Sequence, residues 1–314
     1  MSDSPLERPL GCDSPADVSA KPVTISLVVA TYNRVTELER LLASLDAQTC
    51  QDFEVLIVDQ NRDDRLLPVL RRHQGLRLRH LRCEPGVSRA RNAGLRAASG
   101  NILAIPDDDC WYPDGLIASV KEWFASHPDF GAVFAIMRDA DGKPMGPRWP
   151  TGPCRCTKQN ALACITAING FLRREVTEAI GFFDENLGPG GASKYTAGED
   201  ADYLLRPFGL GVPMWYEPSL WVGHDDLHSL ERQQRTSYPY GLAAGYVMRT
   251  HGYSWLFFAQ QLARSLGGAA FSFCKADMVR MRNYFMRAAG QLRGYCLGPR
   301  ELARLAESRR IDAL

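Results

Sequence analysis

The segment Val23-Thr-Ile-Ser-Leu-Val-Val-Ala30 is a short run dominated by apolar and β-branched residues, and polar residues follow it at once in Thr31-Tyr-Asn-Arg34. A strand with one wet face alternates strictly, whereas a near-continuous run of this kind belongs to a strand covered on both faces, as in a parallel sheet. Thr36-Glu-Leu-Glu39 then reads as a capping box opening a helix with apolar positions Leu38, Leu41, Leu42 and Leu45. The grammar repeats. Phe53 to Val58, Leu76 to Leu81 and Ile102 to Ile105 read as strands, with Asp64 to Arg72 and Val87 to Ala98 as helices between them. This alternation predicts an α/β fold, a doubly wound sheet with right-handed crossovers, in which ligands bind outside the carboxyl ends of the strands.

Composition removes several function classes. The 37 Lys and Arg balance 36 Asp and Glu, so no general field favours nucleic acid, and none is expected as a partner. The 9 cysteines are mostly scattered singly and no basic-then-apolar leader opens the chain, which predicts a reduced, cytoplasmic setting. Cys154, Cys156 and Cys164 are weakly spaced for zinc. The longest lightly charged runs, Tyr238 to Met248 and Ser265 to Cys274, fall short of the ~20 apolar residues that span a bilayer. Residues 1–22, rich in Ser, Pro and Asp, read as a disordered leader. Internal repeats are absent, which excludes solenoids and propellers.

Three strand ends carry polar clusters: Thr31-Tyr-Asn-Arg34, Asp59-Gln-Asn61 and Asp107-Asp-Asp109. Adjacent carboxylates repel and call for a cation. In extended backbone, Asp107 and Asp109 point the same way and can offer oxygens to one hard ion such as Mg²⁺ or Mn²⁺. The bland alternative is a solvated acidic turn. Against it, Ile102-Leu-Ala-Ile105 is buried-strand material and Trp111-Tyr-Pro113 is not ordinary loop sequence.

Ser26-Leu-Val-Val-Ala-Thr-Tyr-Asn-Arg34, Val58-Asp59, Gly86-Val-Ser-Arg-Ala-Arg-Asn-Ala-Gly94, Asp107-Asp-Asp109 and Gly198-Glu-Asp200 resemble, in that order, the motifs of the family 2 glycosyltransferases of GT-A fold. The resemblance runs from about Thr24 to about His224. It implies a GT-A type Rossmann-like sheet flanked by helices over residues 23–230, while the residue pattern of 231–314 reads as a helical C-terminal appendage. It also implies a nucleotide-sugar donor, expected to be UDP-linked, a Mn²⁺ or Mg²⁺ cofactor, and inversion at the anomeric carbon. By resemblance, Thr31, Asn33, Arg34 and Asp59 hold the base, Arg91 lies near the nucleotide, Asp107 meets ribose, and Asp108 belongs to the same donor site. Asp109 and His224 are the implied metal ligands. Cys110 departs from the family's pattern, in which a polar residue often follows, and is expected to pack. Asp200 corresponds to the base that takes the proton of an acceptor hydroxyl, with Glu199 orienting it. Glycines at 188, 190, 191 and 198 suggest a mobile acceptor loop.

Beyond His224 the resemblance fades. Met278, Met281, Phe285, Ala288 and Leu292 recur at helical spacing, with Lys275, Arg280, Arg282, Arg287 and Arg293 on other faces. Such a helix either packs on the catalytic domain with a solvated basic face or lies in a membrane interface. Resemblance to relatives that use glycan or lipid-linked acceptors in bacterial surface polysaccharide and glycolipid assembly favours contact with the inner face of the cell membrane. Two other functions fit less well: a nucleotide-sugar-binding scaffold without chemistry, and a sugar nucleotidyltransferase, whose glycine-rich first loop is missing here.

Overall fold

A computed structural model describes residues 24–145, 149–191, 193–225 and 230–312, so the expected leader at 1–22 lies outside the described residues. The first half folds as the apolar runs dictate. β1 (Ile25–Thr31) pairs in parallel with β2 (Phe53–Asp59) and β4 (Ile102–Ala104), and β2 with β3 (Leu78–Arg82). α1 (Thr36–Asp46), α2 (Leu67–Arg72) and α3 (Val87–Ala97) are the crossovers. Alternate residues of β1 and β2 serve opposite layers. Leu27, Val29, Val55 and Ile57 meet Leu38, Leu41, Leu42 and Leu45 of α1, while Val28, Leu56 and Val58 meet Ala90 and Leu95 of α3. Each such leucine contributes roughly 1.5–3 kcal/mol when fully buried. Gly94 lets α3 lie close on the sheet, since a Cβ there would enter the Val28 side chain.

The capping box is corrected by the structure. Thr36 is the first helical residue, Val35 stands at the N-cap, and no side chain caps the helix. The second member of the box is drawn elsewhere: Glu39 pairs with Arg72 and with His73 across the α1–α2 layer.

The second half brings a change in sheet direction. It contains β5 (Cys110–Trp111), α4 (Leu116–Ser126), β6 (Ala132–Arg138), β7 (Cys154–Arg155), α5 (Lys158–Cys164), β8 (Gly170–Arg173), α6 (Arg174–Ile180), α7 (Glu199–Gly209) and β9 (Met214–His224). The sheet order is β3-β2-β1-β4-β8-β6-β9-β5, with β7 also on β9. β8 runs antiparallel to β4 and β6, and β5 antiparallel to β9. The sheet is therefore mixed rather than wholly parallel.

Three long helices follow: α8 (Leu230–Thr250), α9 (Trp255–Cys274) and α10 (Met278–Asp312). α8 buries Leu242, Tyr246, Val247 and Met248 in the same core as the α3 layer. α8 and α10 meet at backbone distance: a Cβ at Gly241 or Gly245 would enter the carbonyls of Arg287 or Gln291, and one at Gly290 or Gly294 those of Tyr238 or Leu242. Both helices thus use a G-x-x-x-G spacing to admit the other. The apolar stripe expected on α10 is divided, with Ala288 buried but Met278, Phe285 and Leu292 exposed. No helix among the described residues is long and apolar enough to cross a membrane.

Candidate active site

Parallel pairing ends β1 and β4 side by side, and Ala30 bridges Asp107, so the polar groups after these strands converge. Arg34 Nη1 lies 2.7 Å from Asp108 Oδ1 and 2.5 Å from Asp109 Oδ2, supplying a cation to the acidic cluster. The antiparallel register that sets Cys110 opposite His224 brings His224 Nε2 to 3.2 Å from Asp109 Oδ1. His224 Nδ1 is 2.7 Å from the Asp225 carbonyl, which fixes the ring, and although burial opposes its charge, Asp109 raises the His224 pKa. Burial alone would raise the Asp109 carboxyl, but His224 and Arg34 outweigh it and hold it at about 2. Asp108 goes the other way. Burial outweighs Arg34 and pushes it up to about 6.

Arg91 organises a second cluster. Its guanidinium is almost wholly buried, 3.0 Å from Asp107 Oδ1 and 3.2 Å from Glu199 Oε1, and it also binds Asp200 Oδ1. The fork geometry of arginine allows one side chain to serve three carboxylates. Burial opposes its charge, but Asp200, Asp107 and Glu199 more than compensate and raise its pKa. Glu199 is pushed up to about 7, by burial first and then by the neighbouring Asp200. Asp200 Oδ2 accepts the Ala167 N–H at 3.3 Å. The glycine-rich segment before α7 is anchored on α3, with Val87 N donating to Pro189 O at 3.0 Å and Ser88 Oγ to Leu187 O at 2.8 Å. Gly188, at φ +88°, has no room for a Cβ, which would sit 2.9 Å from Glu199 Cδ.

The structure thus brings these eight residues into two ion-pair sets, Arg34 and His224 with Asp108 and Asp109, and Arg91 with Asp107, Glu199 and Asp200, which adjoin at Asp107 and Asp108. The expected base-binding group is arranged differently. Asp59 is fully buried, with Oδ1 accepting from Asn61 N and Nδ2 at 2.8 and 2.7 Å and Oδ2 3.0 Å from His80 Nε2. Asn61 Oδ1 in turn accepts Asn33 N at 2.9 Å, and Asn33 holds φ +58°. Thr31 Oγ1 donates to Arg34 O at 3.4 Å. Asp59 therefore braces the first loop through Asn61 rather than facing solvent.

Sequence reasoning missed two members of this neighbourhood. His80 shares Asp59; an imidazole on a β3 position beside an acidic strand end was its only signal. Arg40 donates to Asp109 O at 2.6 Å, pairs with Asp225 at 2.8 Å and lies 4.6 Å over the Trp111 ring; nothing in its local sequence announces this. Among the described residues, the group able to hold a metal ion is Asp109, Cys110 and His224, and the Cys154, Cys156 and Cys164 set is not one. Burial pushes the Cys110 thiol well up, in keeping with packing rather than ligation.

Comparison with known proteins agrees with this architecture. Residues 26–181 match the family model described as Glycosyl transferase family 2. An uncharacterized glycosyltransferase, YwdF of Bacillus subtilis, is 26% identical over 169 residues, covering 52% of this chain and 63% of that protein. Validoxylamine A glucosyltransferase of Streptomyces hygroscopicus subsp. jinggangensis is 38% identical over 89 residues, 26% of this chain and 21% of its own. The matched region spans less than two thirds of these relatives. Mannosyltransferase PcManGT from Pyrobaculum calidifontis, solved with GDP-Man and Mn²⁺, superposes with a TM-score of 0.58 at 20% identity over 90% of this chain and 91% of its own. TarS residues 1–349 of S. aureus with UDP-GlcNAc gives 0.56 at 15%, over 86% and 91%. These two neighbours share the fold. With the motif order, the sheet and the family match in agreement, the chain belongs to glycosyl transferase family 2.

Proposed function

We propose that the protein is a metal-dependent inverting glycosyltransferase that moves a sugar from a nucleotide-sugar donor, UDP-linked in our reading, to an acceptor hydroxyl in bacterial surface polysaccharide or glycolipid assembly. The observation that carries the proposal is the meeting, through Arg91, of the Asp107–Asp109 strand end with the Glu199–Asp200 helix start. Nucleotide-sugar ligands in two neighbours of the same fold support the donor class. Thr31, Asn33, Arg34, Asp107 and Asp108 line the donor side, with Asp59 and Arg91 bracing it.

An acceptor hydroxyl is a weak nucleophile until a positioned base takes its proton. Asp200 Oδ2, steadied by Ala167 N–H and set at the start of α7, is that base. Arg91 holds it, and Glu199 shares the same guanidinium. The residues fit a divalent cation: Asp109 Oδ1 is buried without a hydrogen bond and faces His224 Nε2, so these two groups would hold it. A bound cation supplies charge stabilisation to the diphosphate leaving group. Contact with an anionic membrane surface is favoured by exposed Phe271, Phe273, Met278 and Phe285 at the α9–α10 turn beside Lys275, Arg280 and Arg282.

The test is thermal stabilisation by UDP, GDP, dTDP and CMP, each with Mn²⁺ and with chelator. The expected result is a Mn²⁺-dependent rise with UDP that Asp109→Asn diminishes. A folded sample that no nucleotide stabilises would refute the donor site and leave the scaffold reading without its ligand as well.

A further inference from the structure

Asp109 and His224 face each other across a very short ladder. β5 has two residues, Cys110 opposite His224 and Trp111 opposite Gly223, and Asp109 stands just before it. Two rungs fix little by themselves, since even a whole two-stranded hairpin is marginal in water. α1 supplies the rest. Arg40 and Ser44 lie one turn apart on one face of α1, and Gln48 follows just past its end. These side chains hold the backbone of residues 109–117: Arg40 Nη2 donates to Asp109 O at 2.6 Å, Ser44 Oγ accepts Tyr112 N at 3.0 Å, Gln48 Nε2 donates to Pro113 O at 2.9 Å, and Gln48 Oε1 accepts Ile117 N at 3.1 Å.

Arg40 does more than the other two, because it grips both strand ends at once. While Nη2 holds the Asp109 carbonyl, Nη1 lies 2.8 Å from Asp225 Oδ2, and the Asp225 carbonyl is 2.7 Å from His224 Nδ1. The guanidinium lies 4.6 Å over the Trp111 ring, and that ring is backed by Gly223, where a Cβ would come within 2.0 Å of Trp111 Cε2. A planar fork stacked in this way makes a two-point grip that an ammonium group does not. Stability alone does not account for the arrangement. The Arg40 and Asp225 side chains keep 40% and 41% of their exposure, where an ion pair adds little. Arg40 Nε is buried with no hydrogen-bond partner among the described residues, which is a cost.

We infer that Arg40 is a positioning residue for the divalent-cation site, acting through the main chain of Asp109 and the side chain of Asp225. Its grip keeps Asp109 Oδ1 and His224 Nε2 facing each other at 3.2 Å. Neighbouring ligands of an octahedral ion with bonds of ~2.1 Å lie about 3 Å apart, close to that spacing. Without the grip, the two-rung ladder alone sets the distance between the two groups. The inference rests on the metal-dependent reading of the site, because the cation gives the spacing its role.

The test is the Mn²⁺ affinity of the full-length protein, read from the electron paramagnetic resonance of the free ion with and without UDP, beside the melting temperature of the same samples in chelator. Arg40→Met removes the guanidinium, and Arg40→Lys keeps a charge for Asp225 but not the two-point grip. Each should weaken Mn²⁺ binding about tenfold, the low end for losing a group that orients a metal ligand. Ser44→Ala is the structural comparison, since it frees Tyr112 N from the same helix face without touching Asp109 or Asp225. It should lower the melting temperature in chelator and leave Mn²⁺ affinity as in the wild type. Arg40 variants that bind Mn²⁺ as the wild type does, or a loss in Ser44→Ala as large as theirs, would overturn the inference and leave the metal reading intact. A wild type that takes up no Mn²⁺, with or without UDP, would overturn the inference together with that reading.

Discussion

Arg91→Met is the perturbation that most directly probes the site's electrostatic design. Methionine approximates the length of the arginine stem and keeps an apolar body against Phe183, over whose ring the guanidinium now lies at 5.4 Å. What it removes is the charge shared by Asp107, Glu199 and Asp200. Breaking a buried ion pair by deleting one partner costs about 3–5 kcal/mol. Here the Asp107 and Asp200 side chains keep 36% and 27% of their exposure and can draw on water, so the low end, about 3 kcal/mol, is expected. For a chain of this size that corresponds to roughly 4–5 °C in melting temperature. The assay is thermal denaturation at pH 7.5 and 5.5. Glu199, already pushed up by burial and by Asp200, rises further without Arg91 and takes up a proton more readily in the folded state. The penalty must therefore shrink at the lower pH. A variant within about 0.5 kcal/mol of wild type at pH 7.5, or one equally impaired at both pH values, would refute the reasoning.

Asp200→Asn should keep nucleotide stabilisation and lose transfer by 100-fold or more, the low end for general-base removal at about 10²–10⁴; substantial residual transfer would remove Asp200 from the role of base. Glu199→Gln tests linkage: a carboxyl at about 7 when folded binds its proton more tightly than when unfolded. Its favourable contribution is complete below the ordinary value of 4.5 and is lost as pH rises through 7, so the glutamine variant should gain melting temperature relative to wild type as pH goes from 4.5 to 7.5. A difference that stays flat across that window would contradict the shift. Gly294→Val should cost about 1–3 kcal/mol by forcing α10 off the Leu242 carbonyl, measured by chemical denaturation, while nucleotide binding in the first half of the chain persists.

The first half of the fold was legible because burial on both faces leaves a plain mark. β1 and β2 are apolar on both layers, and their observed limits lie within two residues of those expected. The second half lacks such a mark. β5 and β7 are two residues long, too short for any period, and β8 owes its antiparallel direction to neighbours far away in sequence. The site divides in the same manner. Asp107–Asp109 and Glu199–Asp200 are contiguous motifs and stood out. What the arginines do was hidden, because charge is visible in a sequence but the reach of a guanidinium is not. Arg91 reaches over 100 positions along the chain to Glu199 and Asp200. The G-x-x-x-G pairs of α8 and α10 were present as letters, but their meaning depends on which helix faces which.

The start of α7, which carries Glu199 and Asp200, is held partly by chain beyond the region that matches the family. Gly198, at the start of α7, lies against Ala243 of α8, where a Cβ would come within 2.9 Å of the alanine methyl. One turn on, Asp202 binds Arg206 Nη2 at 2.5 Å and His251 Nε2 at 2.9 Å, and the His251 carbonyl accepts Lys158 Nζ of α5 at 3.1 Å. α8 thus clamps both α7, which carries Glu199 and Asp200, and α5, whose C-terminal end leads to Thr166 and Ala167. Residues 26–181, which match the family, contain the aspartate cluster and the arginines that face it. The opposite carboxylates are thus fixed from both sides, by Arg91 and the Ala167 N–H within the matched region and by α8 packing on Gly198 from beyond it. Ionic links join the matched region to the chain from 198 onward, Arg91 to Glu199 and Asp200, Asp109 to His224 and Arg40 to Asp225, and none of these involves α8–α10, so changes in those helices leave the links in place.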